Sequence, residues 1–188
     1  MKTQLKGLLK YKIWNLIPLI IIMWVLEVRD ILQPAESLDR YGISPRNIDG
    51  LWGILFAPFL HGNLPHLLSN TFPLLILGSL ILLTSVEEFW IATFMSMVMG
   101  GVGVWALGEV GTNHLGASIL VFGYMGFLLL KGFLVKNNIA IYMAVGVIYF
   151  FGRSIIIGVL PIAPGVSWEG HLFGFIGGLM AAHAVSRT

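Results

Sequence analysis

The sequence has no cysteine and few charged residues, and both shortages narrow the chemistry open to it. Without cysteine there can be no disulfide, no thiolate nucleophile and no zinc-thiolate centre. Charged residues occupy 11% of the 188 positions, whereas hydrophobic residues occupy 57%. A soluble domain carries roughly 25% charged residues. The composition therefore predicts an all-α membrane protein whose polar chemistry comes from Ser, His, Asn, Asp or Glu.

Positive charge is too scarce and too scattered to indicate a nucleic-acid-binding surface. Lys and Arg number 11 against 9 Asp and Glu, and they stand near the ends of apolar segments. A nucleic-acid-binding protein instead concentrates its cations on one face or along one helix. We therefore expect a lipid bilayer as the environment and no nucleic-acid partner.

Apolar runs divide the chain into six predicted transmembrane spans, since a helix needs about 20 apolar residues to cross a bilayer. The runs are Ile13–Val28, Leu67–Val86, Phe89–Leu107, Ala117–Leu134, Ile139–Leu160 and Gly170–Val185. No small-residue cleavage site follows the first run, so we interpret it as an uncleaved span and not as a signal peptide. With no internal repeat or linker, residues 1–188 are expected to form a single transmembrane domain.

The longest polar stretch, residues 29–65, joins the first two spans and is predicted to be an outer loop. Its later part, residues 51–60, is apolar and rich in Trp and Phe, but it is too short to cross a bilayer. Aromatic side chains favour the boundary between lipid and water. We therefore expect a long loop that is partly embedded in the membrane.

The distribution of Lys and Arg predicts that the N-terminus is cytoplasmic, with residues 1–12 as a cytoplasmic leader. This orientation places seven cations inside and four outside. The inner ones are Lys2, Lys6, Lys10, Lys12, Lys131, Lys136 and Arg187, and the outer ones are Arg29, Arg40, Arg46 and Arg153. Spans two, four and six then run in the same direction, so their first residues lie at the same outer depth.

Ser118 and His171 stand at the starts of spans four and six. A serine hydroxyl becomes a nucleophile when a base lies within hydrogen-bond reach. The first N–H groups of a helix can hold an oxyanion beside it, and Gly116 would let a substrate approach closely. The simpler interpretations, a helix N-cap for Ser118 and an interfacial histidine for His171, remain open.

Small residues recur along the last span. Gly170, Gly174 and Gly178 stand four residues apart and line one helix stripe, a pattern that lets two membrane helices approach closely. Such an approach would bring His171 toward span four.

Span two carries a further polar pair. His66 and Asn70 are four residues apart, so they share a helix face and can both donate hydrogen bonds to a developing oxyanion. A metal site built from His61, His66, His114 and His171 is the rival interpretation, and polar contact between helices is a third. No carboxylate stands at ligand spacing and no H-E-x-x-H motif occurs. We expect neither a metal nor another cofactor.

Taken together, three motifs resemble the rhomboid family of intramembrane serine proteases, over roughly residues 51–185. They are His61-x4-His66-x3-Asn70, Gly116-x-Ser118 and Gly170-His171-x2-Gly174-x3-Gly178. The resemblance implies a six-span bundle, a Ser–His dyad without an acidic third member, and a water-filled cavity that opens outward.

By this resemblance Ser118 is the nucleophile and His171 the general base. Asn70 and His66 are the oxyanion donors beside the backbone amide of Ser118. Trp52, which precedes His61 in the long loop, also matches a family position.

Three positions depart from the family pattern. Ile119 follows the serine where many members have glycine, and Phe122 stands where a tyrosine often packs against the catalytic histidine. A phenyl ring still supports the imidazole by packing but lacks the hydroxyl. Gly53 follows Trp52 where the family typically has arginine, so weaker anchoring of the loop is expected. No acidic partner of the histidine is assigned, although Glu109 and Glu169 lie toward the outer side.

The resemblance implies a serine endopeptidase that cuts single-span or multi-span membrane proteins near the outer face. From the short loops and the absence of extra domains we expect a bacterial inner membrane as its location. Substrate would enter between spans two and five, where Phe150, Phe151 and Gly152 form a movable wall. A non-catalytic relative that binds transmembrane helices and a small transporter are the alternatives. Inactive relatives commonly lack the serine or the histidine, and a transporter more often carries mid-span charges or paired broken helices.

Overall fold

The computed structural model describes residues 12–135 and 137–187, where six long helices account for most of the chain. Lys2, Lys6, Lys10 and Lys136 of the predicted inner cations lie outside these residues. The helices are α1 Ile17–Leu32, α2 Leu64–Thr84, α3 Val86–Leu107, α4 Ser118–Val135, α5 Asn138–Gly158 and α6 Trp168–Val185. Each overlaps one predicted span. Outside the helices, a single β-bridge in the described ranges pairs Ile43 with His114.

Four of the helices in this described part, α2 to α5, are long and apolar enough to cross a membrane. The prediction of an all-helical membrane protein is thereby confirmed. The other two predicted spans correspond to α1, with 16 residues, and α6, with 18 residues that include Glu169 and two histidines. That α1 and α6 also cross the membrane stays a prediction.

Polar side chains at the helix starts explain where three of the helices begin. The Asn63 side chain accepts the His66 N–H at 2.9 Å, and the Ser85 hydroxyl accepts the Glu88 N–H at 3.3 Å. The Asn137 side chain accepts the Ala140 N–H at 2.8 Å before α5. Each cap satisfies an N–H group that has no acceptor within its own helix.

The contacts between α2, α4 and α6 show that these three helices run in the same direction. At one end of the α2–α4 pair, Gly116 lies against the His66 ring, and at the other end the Lys131 Nζ donates to the Thr84 hydroxyl at 3.2 Å. On α6, Gly174 meets the backbone of Ile119. Helices α1, α3 and α5 run the opposite way, as pairs of contacts show: Lys12–Thr84 and Trp24–Thr71 for α1, Phe89–Tyr124 and Gly100–Ile119 for α3, and Gly132–Ala140 and Gly158–Phe122 for α5. The helices of the bundle therefore alternate in direction.

Glycines set the packing of α6, which lies against both α3 and α4. A Cβ on Gly178 would overlap the carbonyl group of Gly123, and one on Gly177 would lie 2.6 Å from the Met95 carbonyl oxygen. Gly103 of α3 in turn accommodates the ring of Phe173. Backbones can approach this closely only where small residues stand, which is the reason for the stripe seen in the sequence.

The segment between α1 and α2 consists of short turns that rest on the end of α3. Its pieces are the 3₁₀ turns Pro34–Glu36, Leu38–Tyr41, Asp49–Trp52 and Ala57–Phe59 and the one-turn helix Gly53–Phe56. The Arg46 guanidinium donates to the carbonyls of Ala106 at 3.1 Å and Gly108 at 2.8 Å, and the Trp105 indole donates to the Asn47 carbonyl at 2.8 Å.

Gly53 stands where the family typically has arginine, and it lies in the loop segment that is anchored to α3. A Cβ there would overlap the backbone of Gly42 and approach the Ile43 nitrogen to 2.6 Å. The loop is therefore held at this point by contact between two backbones, for which a side chain is not needed. Leu51, Trp52, Leu55 and Phe56 present exposed apolar side chains, as a membrane-embedded loop would, although embedding itself stays a prediction.

Candidate active site

A cavity of about 1040 Å³ collects most of the candidate residues from the sequence. Ser118, His171, His66 and Asn70 all line it, and so do Phe122 and the two phenylalanines of the predicted wall, Phe150 and Phe151. The cavity therefore brings together side chains from α2, α4, α5 and α6.

Ser118 is the first residue of α4, and the chain before it takes a shape that glycine favours. Gly116 has φ +119°, and its N–H donates to the Ala57 carbonyl at 2.8 Å. A Cβ at Gly116 would lie 2.7 Å from the His66 ring and 3.6 Å from the Asn70 side-chain nitrogen. Gly116 thus lets both polar side chains of α2 approach the backbone just before the serine hydroxyl.

His171 lies in the first turn of α6, and two contacts fix its ring. The Nδ1 atom lies 3.0 Å from the carbonyl oxygen of Gly158, the last residue of α5. Since a carbonyl oxygen only accepts, Nδ1 carries the proton and neutral His171 has its lone pair on Nε2. The ring also stacks on Phe122, with centroids 4.0 Å apart and planes inclined by 5°.

The Gly158 carbonyl occupies the place in which a third, acidic residue orients the histidine of many serine hydrolases. Sequence reasoning missed it, since a backbone carbonyl has no residue-type signature. Glu169 and Glu109 are the two acidic residues considered from the sequence. Glu169 is buried and its charge acts on His114, while Glu109 is exposed on the cavity wall.

Asn70 and His66 are held beside Gly116 by contacts within α2 and with His61. The Asn70 amide donates one N–H to the His66 carbonyl at 3.1 Å, and its second N–H is available for another acceptor. The His66 ring meets the His61 ring edge-on, with centroids 5.1 Å apart.

His61 is buried behind the cavity. Its Nε2 accepts the Ala117 N–H at 3.3 Å, which links the long loop to the residue before Ser118. Burial above all, and the neighbouring His66, lower the pKa of His61 to about 4, against an opposing contribution from the Phe59 backbone. His61 is therefore neutral at physiological pH, as an acceptor of this N–H must be.

The remaining candidates lie outside the cavity. Trp52 is 66% exposed on the loop and does not line the cavity. Gly174 and Gly178 act at the interface between α4 and α6. Ile119, the departure after the serine, is buried where Gly100 of α3 and Gly170 of α6 leave room for its side chain, so these two glycines accommodate the larger residue.

The rival metal site finds no support in the geometry. Within residues 12–135 and 137–187, no three His, Cys, Asp or Glu side chains are grouped so that they could hold a metal ion. The ring nitrogens of His114 face hydroxyl groups instead: Nδ1 lies 2.7 Å from the Ser167 Oγ, and Nε2 lies 2.7 Å from the Thr112 Oγ1.

The protein is a helical bundle with several apolar helices long enough to cross a membrane. Serine, histidine and asparagine side chains surround one internal cavity. These features define an integral membrane protein with a polar site inside the bundle. Comparison with known proteins makes the class specific. The Rhomboid domain family model matches residues 49–188, and the chain belongs to the rhomboid family. The resemblance predicted from the three motifs is thereby confirmed.

Longer relatives occur in mycobacteria, and this chain spans about 70% of their length. Uncharacterized proteins of Mycobacterium tuberculosis and Mycobacterium bovis are each 40% identical to this chain over 180 residues, which cover 92% of this chain and 74% of theirs. An uncharacterized protein of Mycobacterium leprae is 40% identical over 173 residues, which cover 88% of this chain and 68% of that protein. The names of these relatives assign no activity.

Proposed function

We propose that this protein is an intramembrane serine endopeptidase with Ser118 as nucleophile and His171 as general base. The observation that carries the proposal is the orientation of His171. Its Nδ1–H is bound to the Gly158 carbonyl and its ring is stacked on Phe122, and the cavity that it lines also contains Ser118. Membership of the rhomboid family, in which serine proteases of this kind are typical, supports the same chemistry.

In the proposed reaction, the Ser118 hydroxyl attacks a peptide carbonyl while the free Nε2 of His171 takes the proton. His171 returns that proton to the leaving amine, and water, activated by the same nitrogen, hydrolyses the acyl-enzyme. The negative charge on the carbonyl oxygen would be bound by the free Asn70 N–H, by His66 and by the backbone N–H of Ser118 at the start of α4.

Transmembrane segments of other membrane proteins are the proposed substrates. A peptide bond inside a helix is shielded by the hydrogen bonds of that helix, so cleavage requires a locally extended segment. Good substrates would have small residues at the cut, with Gly or Pro nearby to weaken the helix. We propose that they enter from lipid between α2 and α5, past Phe150 and Phe151.

The proposed setting is a bacterial inner membrane with the N-terminus in the cytoplasm and the cavity toward the outer face. Because the native chain has no cysteine, single-cysteine variants report topology directly. An impermeant thiol reagent should label Ser44→Cys in intact cells and should label Asn138→Cys only after the membrane is opened. The reverse pattern would contradict the orientation.

A fluorophosphonate probe tests the nucleophile itself. We expect the purified native protein to be labelled at Ser118, and Ser118→Ala and His171→Ala to lose both labelling and cleavage of a single-span reporter, since the two side chains act as one unit. Ser154→Ala, which removes another serine of the same cavity wall, is the matched control and should keep both.

Retained cleavage in Ser118→Ala would rule out the assignment. A folded native protein that is neither labelled nor active, but that binds transmembrane helices, would place the chain among the non-catalytic rhomboid-like proteins.

A further inference from the structure

His114 lies in a chain of polar contacts that the proposed chemistry does not use. Its Nδ1 lies 2.7 Å from the Ser167 hydroxyl, just before α6, and its Nε2 lies 2.7 Å from the Thr112 hydroxyl, in the turn after α3. Its backbone exchanges two hydrogen bonds with Ile43 of the long loop, at 2.8 and 3.0 Å. One residue therefore joins three loops at the cavity.

The hydrogen-bond acceptors fix where the protons lie. The Thr112 hydroxyl lies 2.6 Å from the Glu109 carbonyl oxygen, which can only accept, so the one proton of this hydroxyl points there. The Thr112 oxygen must then accept from the Nε2–H of His114. In the neutral ring this leaves Nδ1 as an acceptor, and the Ser167 hydroxyl donates to it.

A neutral His114 agrees with its surroundings. Burial lowers the pKa of His114, and the Glu169 carboxylate opposes that shift without overcoming it. The donors therefore run in one direction, from Ser167 through His114 and Thr112 to the Glu109 carbonyl.

Ser167 connects this chain to the proposed base. Its backbone carbonyl accepts the N–H of His171 at 3.1 Å, so the placement of Ser167 sets the first turn of α6, from which the His171 side chain projects. His114 is itself fixed by the bridge to Ile43, whose side chain is fully buried. The side-chain bond between His114 and Ser167 thus ties the start of α6 to the loop that precedes Ser118.

We propose that His114 is a positioning residue: its Nδ1 holds the Ser167 hydroxyl and thereby places His171 at the distance from Ser118 that the reaction requires. The inference rests on the proposed function. A displacement of about 1 Å at a reacting group can cost on the order of a hundredfold in rate, so a contact of this kind affects turnover more than binding.

Two substitutions of His114 test the roles of its two ring nitrogens separately. In His114→Asn the side-chain oxygen lies near the place of Nδ1 and can still accept from Ser167, whereas in His114→Gln the amide nitrogen lies near the place of Nε2 and keeps only the bond to Thr112. We expect His114→Asn to retain kcat to within about threefold, and His114→Gln to lose roughly tenfold or more at unchanged KM.

Substitutions of Ser167 test the same hydrogen bond from its other side, with a smaller change of side chain. Ser167→Ala should lose kcat like His114→Gln, and Ser167→Thr, which restores a hydroxyl, should recover most of it. The matched control is Ser186→Ala, which removes a serine hydroxyl bonded to the Ala182 carbonyl at the other end of α6 and should have no effect on kcat. Turnover of a single-span reporter and the rate of fluorophosphonate labelling of Ser118 are measured with each purified protein.

The outcomes distinguish a failure of the proposed function from a failure of the role proposed for His114. If the native protein is neither active nor labelled, the proposed function fails and this inference fails with it. If the native protein is active and Ser167→Ala matches it, only the role of His114 is overturned. Equal losses in His114→Asn and His114→Gln, or losses of kcat that simply follow losses of thermal stability, would also overturn it.

Discussion

Helices α5 and α6 both border the cavity, yet they are packed in opposite ways. On α6, a Cβ at Gly174 or Gly178 would overlap the backbone of α4. On α5, a Cβ at Gly146 would meet nothing within 4 Å, and one at Gly152 would meet only a side chain of its own helix, at 3.9 Å. Glycine therefore acts differently in the two helices. In α6 it allows close approach to α4, whereas in the middle of α5 it has no packing role.

The difference matches what each helix contributes to the proposed reaction. Helix α6 carries His171, which has to be held in place within a fraction of an ångström, and backbone contacts leave little freedom to shift. Helix α5 packs chiefly against α4 and exposes large side chains, with Tyr149 at 81% and Phe150 at 74%. Elements that move are drawn from the parts of a protein with few buried contacts. A fixed base beside a loosely packed wall suits an enzyme that must admit a helix from lipid.

Alanine in place of a glycine should give the largest contrast between the two helices. Gly178→Ala would push α6 away from the Gly123 carbonyl, and we expect it to lose about 3 kcal/mol or more of stability, the upper end of the cost of overpacking. Gly146→Ala on α5 should change stability by less than about 1 kcal/mol. Thermal unfolding of both variants in the same detergent gives the comparison, and equal midpoints would contradict the packing described for α6.

Gly158 is the exception on α5, and its substitution should affect the site more than the fold. A Cβ there would overlap the Phe122 ring and lie 3.1 Å from Nδ1 of His171. We expect Gly158→Ala to keep the protein folded but to lower kcat by roughly ten- to a hundredfold, since it disturbs both contacts that orient the base. Gly146→Ala, on the same helix, is the matched control, since a Cβ there meets nothing within 4 Å.

Activity measured beside thermal stability checks this prediction. If Gly158→Ala were as active as Gly146→Ala, the Gly158 carbonyl and the Phe122 stack would not be needed to orient His171. Helices α5 and α6 would then differ only in how they pack.

Much of this arrangement can be predicted from the sequence, because lipid imposes simple constraints. The length of each apolar run locates the helices to within several residues, and their alternation brings Ser118, His171 and His66 to one level. The glycine spacing of α6 predicts close approach, and Gly174 and Gly178 do meet the backbone of α4. The roles of the residues that line the cavity stay predictions until activity is measured.

Other features leave no trace in the sequence. The partner of His171 Nδ1 is the backbone carbonyl of Gly158, and since every residue has a carbonyl, nothing in the sequence marks this one as the partner. The contact between His114 and Ser167 joins residues 53 positions apart through two loops with no periodic pattern. The short turns of the loop between α1 and α2 follow from contacts with the end of α3, which local propensity does not encode.

The smallest effect on the cleavage rate is expected at the exposed wall of α5, which borders the proposed route of substrate entry. Phe150 and Phe151 line the cavity from the loosely packed helix, so trimming both should open the way between α2 and α5 without disturbing α6. We expect Phe150→Ala/Phe151→Ala to cleave an intact transmembrane reporter about fivefold faster, which corresponds to roughly 1 kcal/mol off the barrier. Tyr142→Ala, an exposed aromatic residue near the start of α5, is the matched control and should leave the rate unchanged.

The same reporter with a central Gly-Gly pair separates entry from unwinding. Because glycine weakens a helix by about 1 kcal/mol per residue, the pair should speed cleavage by the native protein, and the gain should persist in the double variant if entry and unwinding are separate steps. No gain from Gly-Gly would show that local unwinding does not limit cleavage. A folded double variant that is no faster than native on the intact helix would show that the route lies elsewhere or that entry is not limiting, and the loose packing of α5 would then need another explanation.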